Sequence, residues 1–562
     1  MPRLTKVAAA IGLSIAAMTN VQAVDYQSDN WKLSFDSTWS VGASWRLEDP
    51  DPKFIGIANG GTAFSTNGDD GDLNFEQGDA FSKVVKGLHE LDINYKDDFG
   101  LFTRFRYFYD SALMDDNMRF KPLTDAAEGQ AGHDIQLLDA FVYGSWELGG
   151  HYFQARLGKQ VVNWGESTFI QHSIAEANPI NLSALRTPGS ELREAFIPVK
   201  SLWASLDLND TMSLEAYLQF DWKPFRFDPP GTLFAPNDFL GAGGTDINFG
   251  FGFVPEGTPG QSAQRVDDIH ARDGGQYGLK LSWMAEALNQ TEFGFYAVNY
   301  HNKRPIISSF AHNGNLVQGF EEYLEDIRMY GISFNTVMQN GLSIAGEVSY
   351  RLDEPLQIDD IELLFAALEP VGAVPSGTSQ IPAGARPGDV ISGYRLFDTI
   401  QAQTTLTQLF GPKLGADQLT VLGEIGANWI PDLPNKSVLR FDGPGTPRSG
   451  NPARANFEGY EKTGFADSFS WGYRFVAKLD YNNAFAGINM SPRIVFQHDV
   501  NGNTPTPISN FVEDRKAVAL GVGFDYQSIY KWDIVYSSFF GAGSANNLAD
   551  KDFLAVSFSY SI

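Results

Sequence analysis

Cysteine is missing from this chain, which excludes disulfide staples, thiol nucleophiles and cysteine-bound metals outright. Long uncharged apolar runs are missing too beyond the first residues, so no helix of the about 20 residues needed to span a bilayer can be placed. Positive charge is short: 41 Lys and Arg face 68 Asp and Glu, a formal net charge of −27. Nucleic acid, which needs a basic footprint, drops out as a partner. The 8 histidines show no metal-ligand spacing. Asp499, Asn501 and Asn503 have the every-second-residue spacing of a calcium loop, but Gly502 and the missing distal Glu favour a polar turn. No cofactor, metal or catalytic set is expected. No Pro/Ser-rich linker or change of character divides the chain.

What the sequence does hold is 56 Gly, 43 Phe, 21 Tyr and 11 Trp, a mixture in which aromatics favour strands and glycine marks turns. Residues 1–23 carry Arg3 and Lys6, an Ala-rich apolar run from Val7 to Met18 and the ending Val21-Gln22-Ala23, the pattern of a cleaved secretory signal. From Trp31 to Leu47, Trp31, Leu33, Phe35, Trp39, Val41 and Trp45 hold odd positions, while Lys32, Ser34, Asp36, Ser40, Ser44 and Arg46 hold even ones. Such period-two alternation describes a strand with two unlike faces. The chain closes the same way, with Leu554, Val556, Phe558, Tyr560 and Ile562 alternating with Ala and Ser.

Between these ends, short turns near 96–100, 149–150, 209–210, 290, 340–341, 411–418, 482–486 and 527–530 alternate with long connections. The long ones fall near 48–82, 111–134, 162–198, 223–274, 302–327, 352–393, 431–467, 499–514 and 541–551. Residues 24–562 therefore read as one all-β domain, a transmembrane antiparallel β-barrel of about 18 strands (about 16 being the other count), with short periplasmic turns and long extracellular loops. Closure is a physical need, since lipid offers backbone groups no hydrogen-bond partner. The inward rows are polar and mixed in sign, and include Arg104, Arg106, Glu215, Arg474, Lys478 and Arg493. The location implied is the outer membrane of a Gram-negative bacterium, in contact with its lipids and lipopolysaccharide.

The third long connection is the richest in signals. The strand before it reads Arg156-Leu157-Gly158-Lys159-Gln160 and runs into Asn163-Trp164-Gly165-Glu166-Ser167. Asn178-Pro179-Ile180-Asn181 and Arg186-Thr187-Pro188-Gly189-Ser190-Glu191-Leu192-Arg193-Glu194 follow. The turn signals Asn178-Pro179 and Pro188-Gly189 bracket a short helix-capable piece. This loop is expected to fold inward and narrow the lumen. Arg156, Lys159, Gln160, Trp164, Glu166, Asn178, Arg186, Arg193 and Glu194 are the expected constriction residues.

These blocks, with Ser491-Pro492-Arg493, Asp499-Val500-Asn501-Gly502 and Asp550-Lys551-Asp552-Phe553, resemble one bacterial family, domain of unknown function 1302, over nearly the whole mature chain. The family more often has Arg where Lys159 stands. The resemblance implies a Gram-negative outer-membrane protein that works with a periplasmic lipoprotein-localisation-like carrier and a resistance-nodulation-division type inner-membrane transporter. The cargo it implies is hydrophobic or amphipathic: lipids, esters, sterols or hydrocarbons.

The leading expectation is thus a channel or transporter for such small solutes, gated by the third loop. A general or organic-acid-selective porin is the alternative, in which Arg104, Arg106, Arg156, Arg474 and Arg493 would form a basic ladder. A second alternative is a plugged surface or assembly protein without transport, which the long Gly-rich loops leave open. An enzyme is not expected. An outer-membrane phospholipase would carry Ser and His together on an outward strand, and His172-Ser173 lies in a loop instead.

Overall fold

A computed structural model describes residues 24–115, 118–314, 317–444, 449–456, 460 and 463–562. The expected signal segment, 1–23, lies outside the described residues. The barrel strands are β1 (Trp31–Arg46), β2 (Ala80–Tyr95), β3 (Phe99–Asp110), β4 (His133–Leu148), β5 (His151–Gln160) and β6 (Val199–Asn209). They continue with β7 (Met212–Gln219), β8 (Gln276–Ala285), β9 (Thr291–Tyr300), β10 (Ile327–Val337), β11 (Leu342–Gln357) and β12 (Tyr394–Phe410). The last are β13 (Gln418–Trp429), β14 (Phe469–Phe485), β15 (Ile488–Asn501), β16 (Lys516–Tyr526), β17 (Tyr530–Phe540) and β18 (Phe553–Ser561).

Each strand pairs antiparallel with the next, and β18 returns to β1 with Ser557 opposite Gly42, closing an 18-strand barrel. Closure leaves no strand edge facing lipid, where each unpaired backbone group would cost several kcal/mol. At the seam, Ser37 and Ile562 exchange two backbone hydrogen bonds of 2.9 Å. Below them the short strand Val24–Gln27 continues the pairing along Lys32–Phe35 of β1.

The alternation seen in the sequence becomes two faces. Val41, Leu157, Leu279, Ile332, Ile425 and Ile534 are exposed apolar residues of the outer belt. Trp31, Phe99, Trp146, Tyr152, Trp283 and Trp532 are exposed near the short turns, and Tyr277, Tyr330, Tyr350, Trp429, Phe469 and Phe540 near the long loops. Two aromatic girdles around an apolar band are what a bilayer selects on a barrel's outer face. Trp222 lies past the end of β7, buried, donating from Nε1 to the Asn302 carbonyl at 3.2 Å.

The long loops fold upon one another. Strands Asp246–Asn248, Ser262–Arg265, Ile306–Phe310, Val317–Glu322 and Val390–Ile391 form a second, 5-stranded sheet from three different connections. Helix α1 (Asp360–Leu368), N-capped by the Asp359 carboxylate, packs Leu363, Ala366 and Ala367 into an apolar cluster with Ile391, Ile430, Phe441 and Ile508. The mouth of the barrel therefore carries a packed cover with its own core.

Candidate constriction formed by the third loop

The third loop leaves β5 at Gln160 and returns at Val199. Its neck is pinned by side chains bonding to main chain: Asn178 Nδ2 donates to the Val162 carbonyl at 2.7 Å, and Gln219 Nε2 donates to that of Ala177 at 2.7 Å. Gln160 Nε2 donates to the Ser201 carbonyl at 2.9 Å. Trp164 is buried against Tyr217, 4.8 Å between ring centroids, and its Nε1 donates to Glu215 at 2.9 Å. Glu215 is neutralised in turn by Lys280 at 3.0 Å. Buried polar groups must be paired, and here the partners come from β5, β6, β7 and β8 as well as from the loop itself, so the neck is fixed from several directions.

From this neck the first arm crosses the lumen. Glu347 on β11 accepts the backbone N–H of Glu166 and, at 3.3 Å, that of Ile174. Glu424 on β13 accepts three successive N–H groups, from Thr168, Phe169 and Ile170, each at 2.8 Å. Gly165 has φ +94° and a Cβ there would lie 2.7 Å from the Glu347 carboxylate, so glycine alone allows the approach. Farther along, His172 sits 3.0 Å from Glu176 and 2.5 Å from Glu354, while Arg304 pairs with Glu176 at 3.2 Å and Arg351 donates to the Ser173 carbonyl.

The second arm runs the other way around. Helices Leu182–Arg186 and Leu192–Ala195 flank Pro188, which packs on Gly42 of β1. Gly189 lies against Ser557 of β18. Glu194 pairs with Lys86 of β2 at 2.6 Å, and Arg106 of β3 donates to the Glu194 carbonyl at 3.1 Å. Arg193 pairs with Glu90 at 2.6 Å, and Arg104 ties Glu90 (2.5 Å) to Asp139 (2.6 Å).

The expected residues thus divide. Trp164, Glu166, Asn178, Arg193 and Glu194 lie in the crossing loop or its neck; Arg104, Arg106, Glu215 and Gln160 are its wall partners. Arg156 faces the same interior, its guanidinium 4.1 Å from the Trp203 ring centroid. Arg186 ties the loop to the cover instead, bonding Asp228 at 2.7 Å over the Phe234 ring. Lys159 does not join them. Alternation along β5 sets it on the outward row with exposed Leu157, opposite Lys200, where its ammonium donates to the Leu137 carbonyl. Arg474, Lys478 and Arg493 stand across the lumen, paired with Asp499 (2.7 Å), Asp480 (2.9 Å) and Asp533 (2.7 Å).

Glu347, Glu424 and Arg351 hold the first arm, yet no sequence motif marks them. Their only signal was a charged side chain in mid-strand on the inward row. Another cross-strand relation also escapes a single-strand search: Ser37 Oγ and His89 Nδ1 are 2.8 Å apart on the outward face. Both are buried, with His89 between the rings of Phe35 and Phe105.

The described family model "Protein of unknown function (DUF1302)" matches residues 4–562. The chain belongs to that family. No curated protein matches it. Among solved structures it is similar to OccAB4 of Acinetobacter baumannii, at 11% identity over 95% of this chain and 98% of that one, with a TM-score of 0.42. OccAB1 of the same organism gives 9%, 96%, 98% and 0.43. OccK2 (OpdF) of Pseudomonas aeruginosa, solved in complex with glucuronate, gives 9%, 94%, 98% and 0.39.

Proposed function

We propose that this member of the family is a Gram-negative outer-membrane channel whose lumen the third loop narrows to a passage along β14–β18, and that the passage serves hydrophobic or amphipathic solutes. The observation that carries this reading is the makeup of the wall the loop leaves uncovered. Cross-strand partners in an antiparallel pair share a face. Gly42 and Ser557 face the loop, so the register extends that inner row through Ala555 and Ala519 to Gly521. These are small, uncharged residues; Asp533, opposite Ser557, shares their row and is neutralised by Arg493 at 2.7 Å, and β16 and β18 are half-buried nearly throughout. The arginines that an acid-selective ladder would expose are tied up instead: Arg104, Arg474 and Arg493 by carboxylates, Arg156 over an indole.

The test is reconstitution of the wild-type barrel and of a variant lacking residues 166–195. The deletion should raise single-channel conductance tenfold or more. In the same vesicles, an uncharged amphipathic ester should cross wild type faster than a monocarboxylate of equal size. Faster carboxylate flux would replace this reading with an acid-selective porin; unchanged conductance in the deletion would remove the constriction. The resemblance-based partners, a periplasmic carrier and a resistance-nodulation-division type transporter, belong to the same proposal. Cross-linking from the short turns, around Gly149 and Gly341, tests them.

A further inference from the structure

The cover above the barrel holds an excess of buried negative charge that the constriction does not use. Asp69 and Asp70 come from the first long loop, Asp238 and Glu256 from the fourth, and Lys121 from the second. One carboxylate oxygen from each of Asp69, Asp70 and Glu256 lies within 4.8 Å of the others. Asp69 is 0%, Asp70 1% and Asp238 3% exposed. One oxygen of each carboxylate on the first loop is spoken for: Asp69 Oδ2 accepts from Gly56 N at 2.8 Å and Asn59 Nδ2 at 2.9 Å, and Asp70 Oδ2 meets Lys121 Nζ at 2.8 Å. Glu256 Oε2 shares the same ammonium at 2.9 Å. The remaining oxygens, Asp69 Oδ1, Asp70 Oδ1, Asp238 Oδ2 and Glu256 Oε1, are buried with no hydrogen-bond partner.

One lysine does not neutralise four carboxylates. Buried unpaired carboxylates are costly, and a cation is the usual remedy. Hard oxygen donors contributed by several loops, with no nitrogen or sulfur ligand among them, suit calcium.

We propose that Asp69, Asp70 and Glu256, with Asp238 beside them, form a calcium site that fastens the first and fourth loops together. The two loops already interlock there, with Asn67 donating to the Asn248 carbonyl at 2.8 Å and Ala58 N to that of Gly252 at 2.7 Å. The ion takes the unpaired oxygens, and Lys121 remains as the outer partner of Asp70 and Glu256.

Calorimetric titration of the EDTA-stripped, detergent-solubilised barrel with calcium chloride tests the site. The expected result is saturable binding of a single ion with a Kd of about 1 mM or below, the range of extracellular calcium modules. Asp70→Asn and Glu256→Gln should each weaken it at least tenfold. Lys121→Met, which removes a competing positive charge, should tighten it, a change no merely damaged fold would produce. Calcium should also protect the first and fourth loops from protease in wild type. Absence of binding in wild type, or binding that all the variants leave untouched, overturns the site.

Discussion

Along β10 Ile327, Met329, Gly331 and Ser333 are buried while Arg328, Tyr330 and Ile332 are exposed; along β16 and β18 nearly every residue is half-buried, whichever face it takes. Both walls obey the same alternation, so the strands themselves do not make the difference. The first is pressed from inside by the first arm of the third loop, through Ile174 on Gly331 and Ile170 on Gly426; the second meets the second arm at Ser557, under Gly189, and its residues stay half-buried on both faces. The inner surface of a barrel is therefore defined by what the loops lay on it as much as by its own residues.

Releasing the arm should abolish the contrast most strongly. Glu424→Ala leaves three backbone N–H groups without their acceptor, at about 1–3 kcal/mol for each group left unpaired. Frequent transitions to a high-conductance state are expected in bilayer recordings, together with tryptic cleavage of the arm; steady wild-type current would show that Glu424 does not hold it. Adding bulk should have opposite signs on the two walls. Ala519→Trp, on the uncovered wall, should cut conductance severalfold, whereas Ser349→Trp, under the arm, should displace it and raise conductance. A fall in both would mean that the passage does not follow β14–β18.

Arg493→Ala should have a smaller effect, about a twofold shift toward cation selectivity in reversal potential, because Asp533 then faces the passage unpaired. The cover should respond to pH. Burial, against the pull of Arg440, keeps the Asp359 carboxyl up at about 6. A folded-state value above the unfolded one means the stabilisation is complete below the unfolded pKa, about 3.9, and is lost as pH rises through about 6. Hydrogen exchange in α1 should speed up modestly between pH 5 and 7 beyond its intrinsic dependence. Asp359→Asn, which keeps a helix cap, should flatten the response.

The barrel was legible in the sequence because period-two alternation and the rhythm of short and long connections are local signals. Turns at Gly149-Gly150 and Asn340-Gly341 and the terminal strand Phe553–Ser561 lie where the pattern puts them. Inward travel of the third loop was legible only in outline, from its length and its Asn-Pro and Pro-Gly punctuation. What escaped depends on residues far apart in the chain. Glu424 and Thr168 meet across more than 250 positions, and the second sheet joins short strands from three loops, none long enough to show alternation. Lys159 went astray for the opposite reason: the motif around it drew attention, while its odd position on β5 already placed it outside.

The way the first arm is fastened has a consequence for divergence among relatives. Glu347 and Glu424 grip peptide N–H groups, which every residue except proline provides. The side chains of Thr168 and Phe169 can therefore drift without loosening the arm, provided glycine stays at 165 and proline stays out of the gripped positions. Such a fastening lets selection alter what the tip presents to a passing solute while keeping the tip in place, so that new specificities become reachable by single substitutions in an otherwise unchanged barrel.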